Sequence, residues 1–157
     1  MTCHIIRAIE PIEELRYLVL GAQREGARML AELLRPAGVT AAQAEVIAVL
    51  RDAGRPLTLR EIGERLVCES GSPSRLVASV VAAGLIERRE RPSDRRAVEL
   101  SLTAAGSTSA RQVAEAERRL HDALAAELSD REIAAIVRGL RKLVDGRPAG
   151  DAVARRR

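Results

Sequence analysis

The apolar pattern of this 157-residue chain departs from the helical period in one stretch, after Gly84, and that departure constrains the fold more than any other feature. Before Gly84 the apolar residues recur at the spacing of an α-helix. After it, Leu85-Ile86-Glu87-Arg88 reads as one strand, and Val98, Leu100 and Leu102 alternate with Glu99 and Ser101 as a half-buried second strand. Gly84 stands where a left-handed residue closes a helix. Between the two strands Pro92, Ser93 and Asp94 are turn formers. Beyond Thr103 the helical period returns. The chain is therefore mainly α, with one β-hairpin whose long tip loop is rich in arginine.

The helices are delimited by end signals. Pro11 suits a first helical position, with Glu13 and Glu14 near the positive end of the dipole. Ile12, Leu15, Leu18, Ala22, Met29, Leu30 and Leu33 then form an apolar stripe to about Arg35, broken by Pro36-Ala37-Gly38. Thr40 with Gln43 predicts a capping box ahead of Val46, Ile47, Val49 and Leu50; Asp52-Ala53-Gly54 ends that helix. Thr58 with Glu61 predicts another, opening a short helix from Leu59 to Leu66. Ser72 is expected to cap the next helix, with Pro73 in its first turn. Thr103 is read as the cap of a long helix carrying Val113, Ala116, Leu120, Leu124 and Leu128. Ser129 with Glu132 opens a last helix carrying Ile133, Ile136, Val137, Leu140 and Val144, which Gly146 and Pro148 stop.

Two short helices, a tight turn and a hairpin make a winged helix-turn-helix, in which the second helix can enter a DNA major groove and the hairpin the adjoining minor groove. On the wheel of that second helix Pro73, Leu76, Val77 and Val80 face the core, while Ser74, Arg75, Ala78 and Ser79 face outward. Small side chains let the backbone approach base edges, and Arg75 can donate a bidentate pair to guanine. Charge points the same way. The net charge is +4, but segment 88–96 alone is +3 and segment 147–157 another +3, which leaves −2 for the rest. Positive charge gathered in this way favours a polyanion. Arg91, Arg95 and Arg96 suit a narrow minor groove, and Asp94 reads as a partner that orients a neighbouring arginine.

The run from Leu59 to Gly106 resembles the multiple antibiotic resistance regulator (MarR) family. LREIGERL (59–66), SRLVASVVAAGLIERRE (74–90) and RPSDRRAVELSLTAAG (91–106) carry the resemblance, above all the Asp-Arg-Arg wing tip followed by Leu-x-Leu-Thr-x-x-Gly. By position, Ser72, Ser74, Arg75 and Ser79 match the recognition helix, and Asp94, Arg95 and Arg96 the wing. Val67, where the turn often has Gly, and Pro73, at an apolar position, depart from the pattern. The resemblance implies a cytoplasmic homodimer that binds a pseudopalindromic operator, usually as a repressor, and is released by a small molecule or an oxidant. The expected organisation is one domain over 1–157: a helical dimerisation region at 11–35 and 104–145, a winged helix-turn-helix at 40–103, and a disordered basic tail at 147–157. The end helices, whose apolar stripes the small winged unit does not need, are expected to bury them against a second copy.

Other functions are disfavoured by what is missing. Tyr17 is the only aromatic residue, so recognition by base stacking is nearly excluded. No apolar run reaches the length of a membrane span, and the N-terminus lacks the pattern of a signal peptide. Cys3 and Cys68 cannot build a disulfide framework, and His4 and His121 have no companions at ligand spacing. Neither a metal nor a cofactor is expected. An enzyme is disfavoured because there is no Gly-rich phosphate loop, no paired-carboxylate motif and no general-base motif beyond the neighbour pair Cys3-His4. Cys68 reads as a small buried apolar residue of the turn. Redox sensing through Cys3 is an alternative mode of release, and a winged helix kept only for protein interaction is an alternative function that would not need five wing arginines. Arg16, Tyr17, Arg24 and Arg28 read as a solvated helix face, so no effector-binding residue is named.

Overall fold

The computed structural model describes residues 10–67, 72–91 and 94–156, and their side chains except at 91 and 94–97. Helix α1 (Pro11–Leu33) runs into a 3-10 turn (Arg35–Ala37), and α2 (Ala41–Ala53) follows. Then come β1 (Leu57–Thr58), α3 (Leu59–Gly63), α4 (Pro73–Ala82), β2 (Ile86–Arg91) and β3 (Asp94–Leu102). The chain closes with α5 (Ala104–Glu127), α6 (Asp130–Val144) and α7 (Pro148–Ala154). Among the described residues no helix is long and apolar enough to cross a membrane.

The three predicted Ser/Thr-x-x-Glu/Gln boxes all form, at Thr40–Gln43, Thr58–Glu61 and Ser129–Glu132, so two backbone donors at each helix start are satisfied locally. Gly38, Gly54, Gly84 and Gly146 hold positive φ where chain breaks were read.

The core lies between α2 and the helices and strands around it. Val46, Ile47 and Ala48 of α2 meet Leu57, Ile62, Val77, Val80, Ile86 and Leu100, with Leu34 and Val113 closing the same cluster. The sheet has the order β1-β3-β2. Leu57 pairs with Leu100 and Ile86 with Leu102, so the base of the hairpin is anchored in the core from both sides.

Thr103 fastens that base to α5. Its hydroxyl donates to the Gly84 carbonyl (2.7 Å) and accepts the Gly106 N–H (2.9 Å), while its own N–H donates to the Leu85 carbonyl (3.1 Å). Gly106 is needed there because a Cβ would collide with the Leu85 carbonyl.

The structure corrects several expectations. Helix α3 stops at Gly63, with turn residues at Glu64 and Arg65, and Arg65 and Leu66 donate to the Ile62 and Gly63 carbonyls in tighter turns. Leu85, expected to belong to the first strand of the hairpin, precedes β2. Segment 88–96 is no long loop: pairing continues to Arg91 opposite Asp94, with an irregularity at Glu90/Arg91. Val98, expected to face inward, is exposed. The tail expected to be disordered contains α7, with Gly150 and Ala152 buried. Its register is set by Gly150, where a Cβ would meet the Val144 carbonyl.

Candidate nucleic-acid interface

Helix α4 presents two chemically distinct faces. Val77 and Val80 are buried, and Pro73 and Leu76 partly so, which fixes the rotation of the helix. Ser74, Arg75, Ala78 and Ser79 are all exposed. Core packing thus selects the outer face that the wheel predicted. Arg75 has no ion-pair partner among the described residues, so its donors are available to an incoming acceptor.

The serines are less free. Ser72 occupies the N-cap position of α4, but its side chain makes no capping bond; its hydroxyl pairs with that of Ser74 at 2.8 Å. This corrects the expected cap. With Pro73 at the first helical position there is one fewer orphan N–H to satisfy. Ser79 donates its only hydroxyl proton to the Leu76 carbonyl (2.7 Å) and accepts from Gln43 Nε2 (3.2 Å). It therefore retains acceptor capacity, and its donor is engaged within the helix.

Gln43 is the residue that sequence reading missed. Its Oε1 accepts the Thr40 N–H (3.0 Å) while its Nε2 reaches Ser79, so one amide caps α2 and ties it to the exposed face of α4. The box revealed only the first role; the second joins residues 36 apart in sequence.

The wing projects from the same unit. Arg88 and Arg89 of β2 are exposed, and Arg89 pairs with Glu87 at 2.7 Å. The backbones of Arg91, Asp94, Arg95 and Arg96 belong to the paired strands. The expected groove contacts of these four residues depend on their side chains, which lie outside the described set. Cys3, His4 and Cys68 also lie outside the described residues. Arg16, Tyr17, Arg24 and Arg28 are exposed, with the Arg16 guanidinium 4.2 Å from the centre of the Tyr17 ring. Among the described residues no group of three or more His, Cys, Asp or Glu could hold a metal ion.

Glu61 stiffens the approach to the helix-turn-helix. Its carboxylate accepts the Thr58 N–H (2.8 Å) and a bond from Arg55 (2.7 Å). The Thr58 backbone bond above all, then Arg55, hold its pKa at about 2. Glu45, buried on α2, accepts the Val67 N–H between α3 and α4 at 2.7 Å, and Arg156 at 3.0 Å.

A packed helix pair and an arginine-bearing hairpin on one core define a winged-helix protein with a polar helix face turned outward. Residues 39–106 match the family described as Winged helix DNA-binding domain. The chain is 29% identical over 146 residues to the multiple antibiotic resistance protein MarR of Escherichia coli (strain K12), spanning 91% of this chain and 97% of that protein. The MarR protein of Salmonella typhimurium matches to the same extent. The crystal structure of a mutant Escherichia coli MarR complexed with operator DNA superposes with a TM-score of 0.75 at 28% identity, covering 88% of this chain and 99% of that one. An organohalide-sensing transcriptional regulator shares the fold with a TM-score of 0.78 at 18% identity, over 91% of this chain and 88% of that one. In sequence over most of its length and in fold, the chain is similar to the MarR winged-helix DNA-binding transcriptional regulators.

Proposed function

We propose that this regulator acts in the cytoplasm as a homodimeric repressor of a pseudopalindromic operator, released by a small molecule. The observation that carries the reading is the outer face of α4, where Ser74, Arg75, Ala78 and Ser79 lie exposed on one unit with an arginine-bearing wing. Arg75 pairs with a guanine edge; Ser72 and Ser74 bind phosphate or base edges; Ser79 holds the helix face and offers only an acceptor outward. Arg91, Arg95 and Arg96 enter the minor groove, with Asp94 orienting one of them. Two-fold symmetry spaces the two reading helices by one DNA turn, about 34 Å.

The release site fits a cavity of about 450 Å³ between the winged unit and α5. Leu50, Leu102 and Ala110 supply apolar wall, and Arg51, Arg55 and Arg111 supply charge. Arg51 Nη1 is buried with no hydrogen-bond partner, a donor ready for an acceptor. An apolar body carrying an acidic group matches this lining.

Titration of genomic fragments by fluorescence polarisation tests the reading. One retained fragment with an inverted repeat, an affinity that falls steeply with salt, and displacement by an apolar acid are expected. Binding that ignores salt, or none at low salt, refutes it.

A further inference from the structure

Helix α7 lies against the winged unit. Arg156 Nη1 reaches Glu45 at 3.0 Å, and Arg155 Nη1 the Glu64 carbonyl at 3.5 Å. Between α7 and the α2–α3 side is a cleft of about 220 Å³, small beside the ~300–1,000 Å³ that holds drug-sized ligands. Arg55, Arg65, Arg155 and Arg156 line it, with Asp52 as the one carboxylate and Val49 and Ala53 as the apolar part.

The carboxylates around it are already engaged. Asp52 pairs with Arg51 (2.7 Å), Glu61 with Arg55 (2.7 Å), Glu64 with Arg60 (2.9 Å) and Glu45 with Arg156. Arg65 and Arg155 have no ion pair among the described residues; each holds one backbone carbonyl, Arg65 that of Glu61 at 2.7 Å. A guanidinium carries five donors in a fork that matches carboxylate or phosphate oxygens. Two such forks, one from the winged unit and one from α7, share a concave surface with two further arginines.

We propose that this cleft binds a small polyanion, with at least two carboxylate or phosphate groups, bridging Arg65 and Arg155. A monoanion can occupy only one fork, whereas a polyanion spans the seam and meets both guanidinium groups that lack an ion pair among the described residues. The cleft shares only Arg55 with the larger cavity, so it is a second site of different chemistry. Because Glu45 takes both Arg156 and the Val67 N–H, occupancy on α7 is linked to the backbone between the two helices of the helix-turn-helix. The proposal needs no operator binding, and its test fails or succeeds separately from the DNA reading.

The experiment is calorimetric titration of the full-length protein with citrate, pyrophosphate and acetate at fixed ionic strength. Citrate or pyrophosphate binds saturably and acetate does not; which of the two binds identifies the ligand as carboxylate or phosphate. Arg65→Gln with Arg155→Gln weakens binding at least about tenfold, and Arg111→Gln in the other cavity leaves it unchanged. Should the double variant melt early, Arg65→Gln and Arg155→Gln singly give the same ranking. Saturable binding of neither polyanion overturns the proposal, as does binding that the arginine variants do not weaken. So does a variant whose sole defect is weaker operator binding with a shallower salt slope, which makes the cleft a contact for DNA phosphates.

Discussion

The winged unit and the end helices of this chain are built from similar apolar stripes and differ in what those stripes meet. In the winged unit Val46, Ile47, Leu57, Ile62 and Val80 are fully buried. In α1 and α6 no residue is buried, and Ile12, Leu18, Ile136, Val137 and Leu140 stand in solvent. Helix α5 shows the transition within one element: Val113 is 0% exposed on the winged side, and Leu124 is 50% exposed further along. A strong helical periodicity therefore specifies a buried face without specifying which chain buries it. The proposed homodimer would bury these exposed stripes, since a two-fold contact with an identical copy would close them without leaving an open end.

The largest expected effect breaks the comparison on its open side. Ile136→Asp combined with Leu140→Asp places two charges on the apolar face of α6. Light scattering should then give a monomer, with helical circular dichroism of the winged unit retained. Operator affinity should fall at least about a thousandfold, toward the non-specific level, because one half-site cannot replace two. A variant that remains dimeric, or that unfolds entirely, would show that the two regions are not separable as described.

The closed side is probed at Gly106. Gly106→Ala sets a methyl group against the Leu85 carbonyl, a backbone atom that cannot swing aside. A loss of about 1–3 kcal/mol in denaturant unfolding is expected, as for an overpacked core. Gly139→Ala on α6, where a Cβ meets nothing, should not destabilise.

These positions also show what was legible in the sequence. The capping boxes and the positive-φ glycines are local, each decided within a few residues, and they were read directly. The Leu-x-Leu-Thr-x-x-Gly run was legible as a family signature, but its cause was not: Thr103 is constrained by Gly84, 19 residues earlier in the chain, and Gly106 by the Leu85 carbonyl. Strand β1 escaped notice because two residues carry no period, and only pairing with Leu100 and Glu99 makes Leu57 and Thr58 a strand. The tail carried disorder signals in its Gly, Pro and charge; what holds α7 is remote, through Arg156 and Glu45. The outer face of α4 was legible because helix geometry and two buried valines suffice to orient it. The partner of Ser79 on Gln43 was not, since it needs the packing of α2 on α4.

On the polar surface that the closed core orients, Arg75→Ala should weaken operator binding by about 1–3 kcal/mol and relax preference at one base pair in each half-site. A competition series over single-base operator variants distinguishes this from a phosphate contact, which would weaken all sequences equally. Gln43→Ala sharpens the same point. It leaves every proposed DNA-facing side chain in place but frees Ser79, so a smaller loss of affinity without a change in base preference is expected.

The smallest effect compares the same motif in both regions. Glu61 closes the box of α3 beside the core, and Glu132 closes that of α6 in the open region. Both carboxyls sit below the ordinary 4.5, Glu61 at about 2 through the Thr58 backbone bond and then Arg55, Glu132 through the Ser129 hydroxyl and then its N–H. A folded-state pKa below the unfolded value means that the ionised form stabilises the fold. For Glu61 that contribution is complete above 4.5 and is lost as pH falls toward about 2. Glu61→Gln should lower stability by about 1 kcal/mol at neutral pH, the scale of a lost cap. The gap between Glu61→Gln and the parent protein should narrow on acidification through that window. Glu132 is fully exposed, so Glu132→Gln should shift the melt less. Thermal melts of both variants across the acid range decide the point: equal shifts would mean that the end helices are as tightly coupled to stability as the winged core, and would remove the contrast between the two regions.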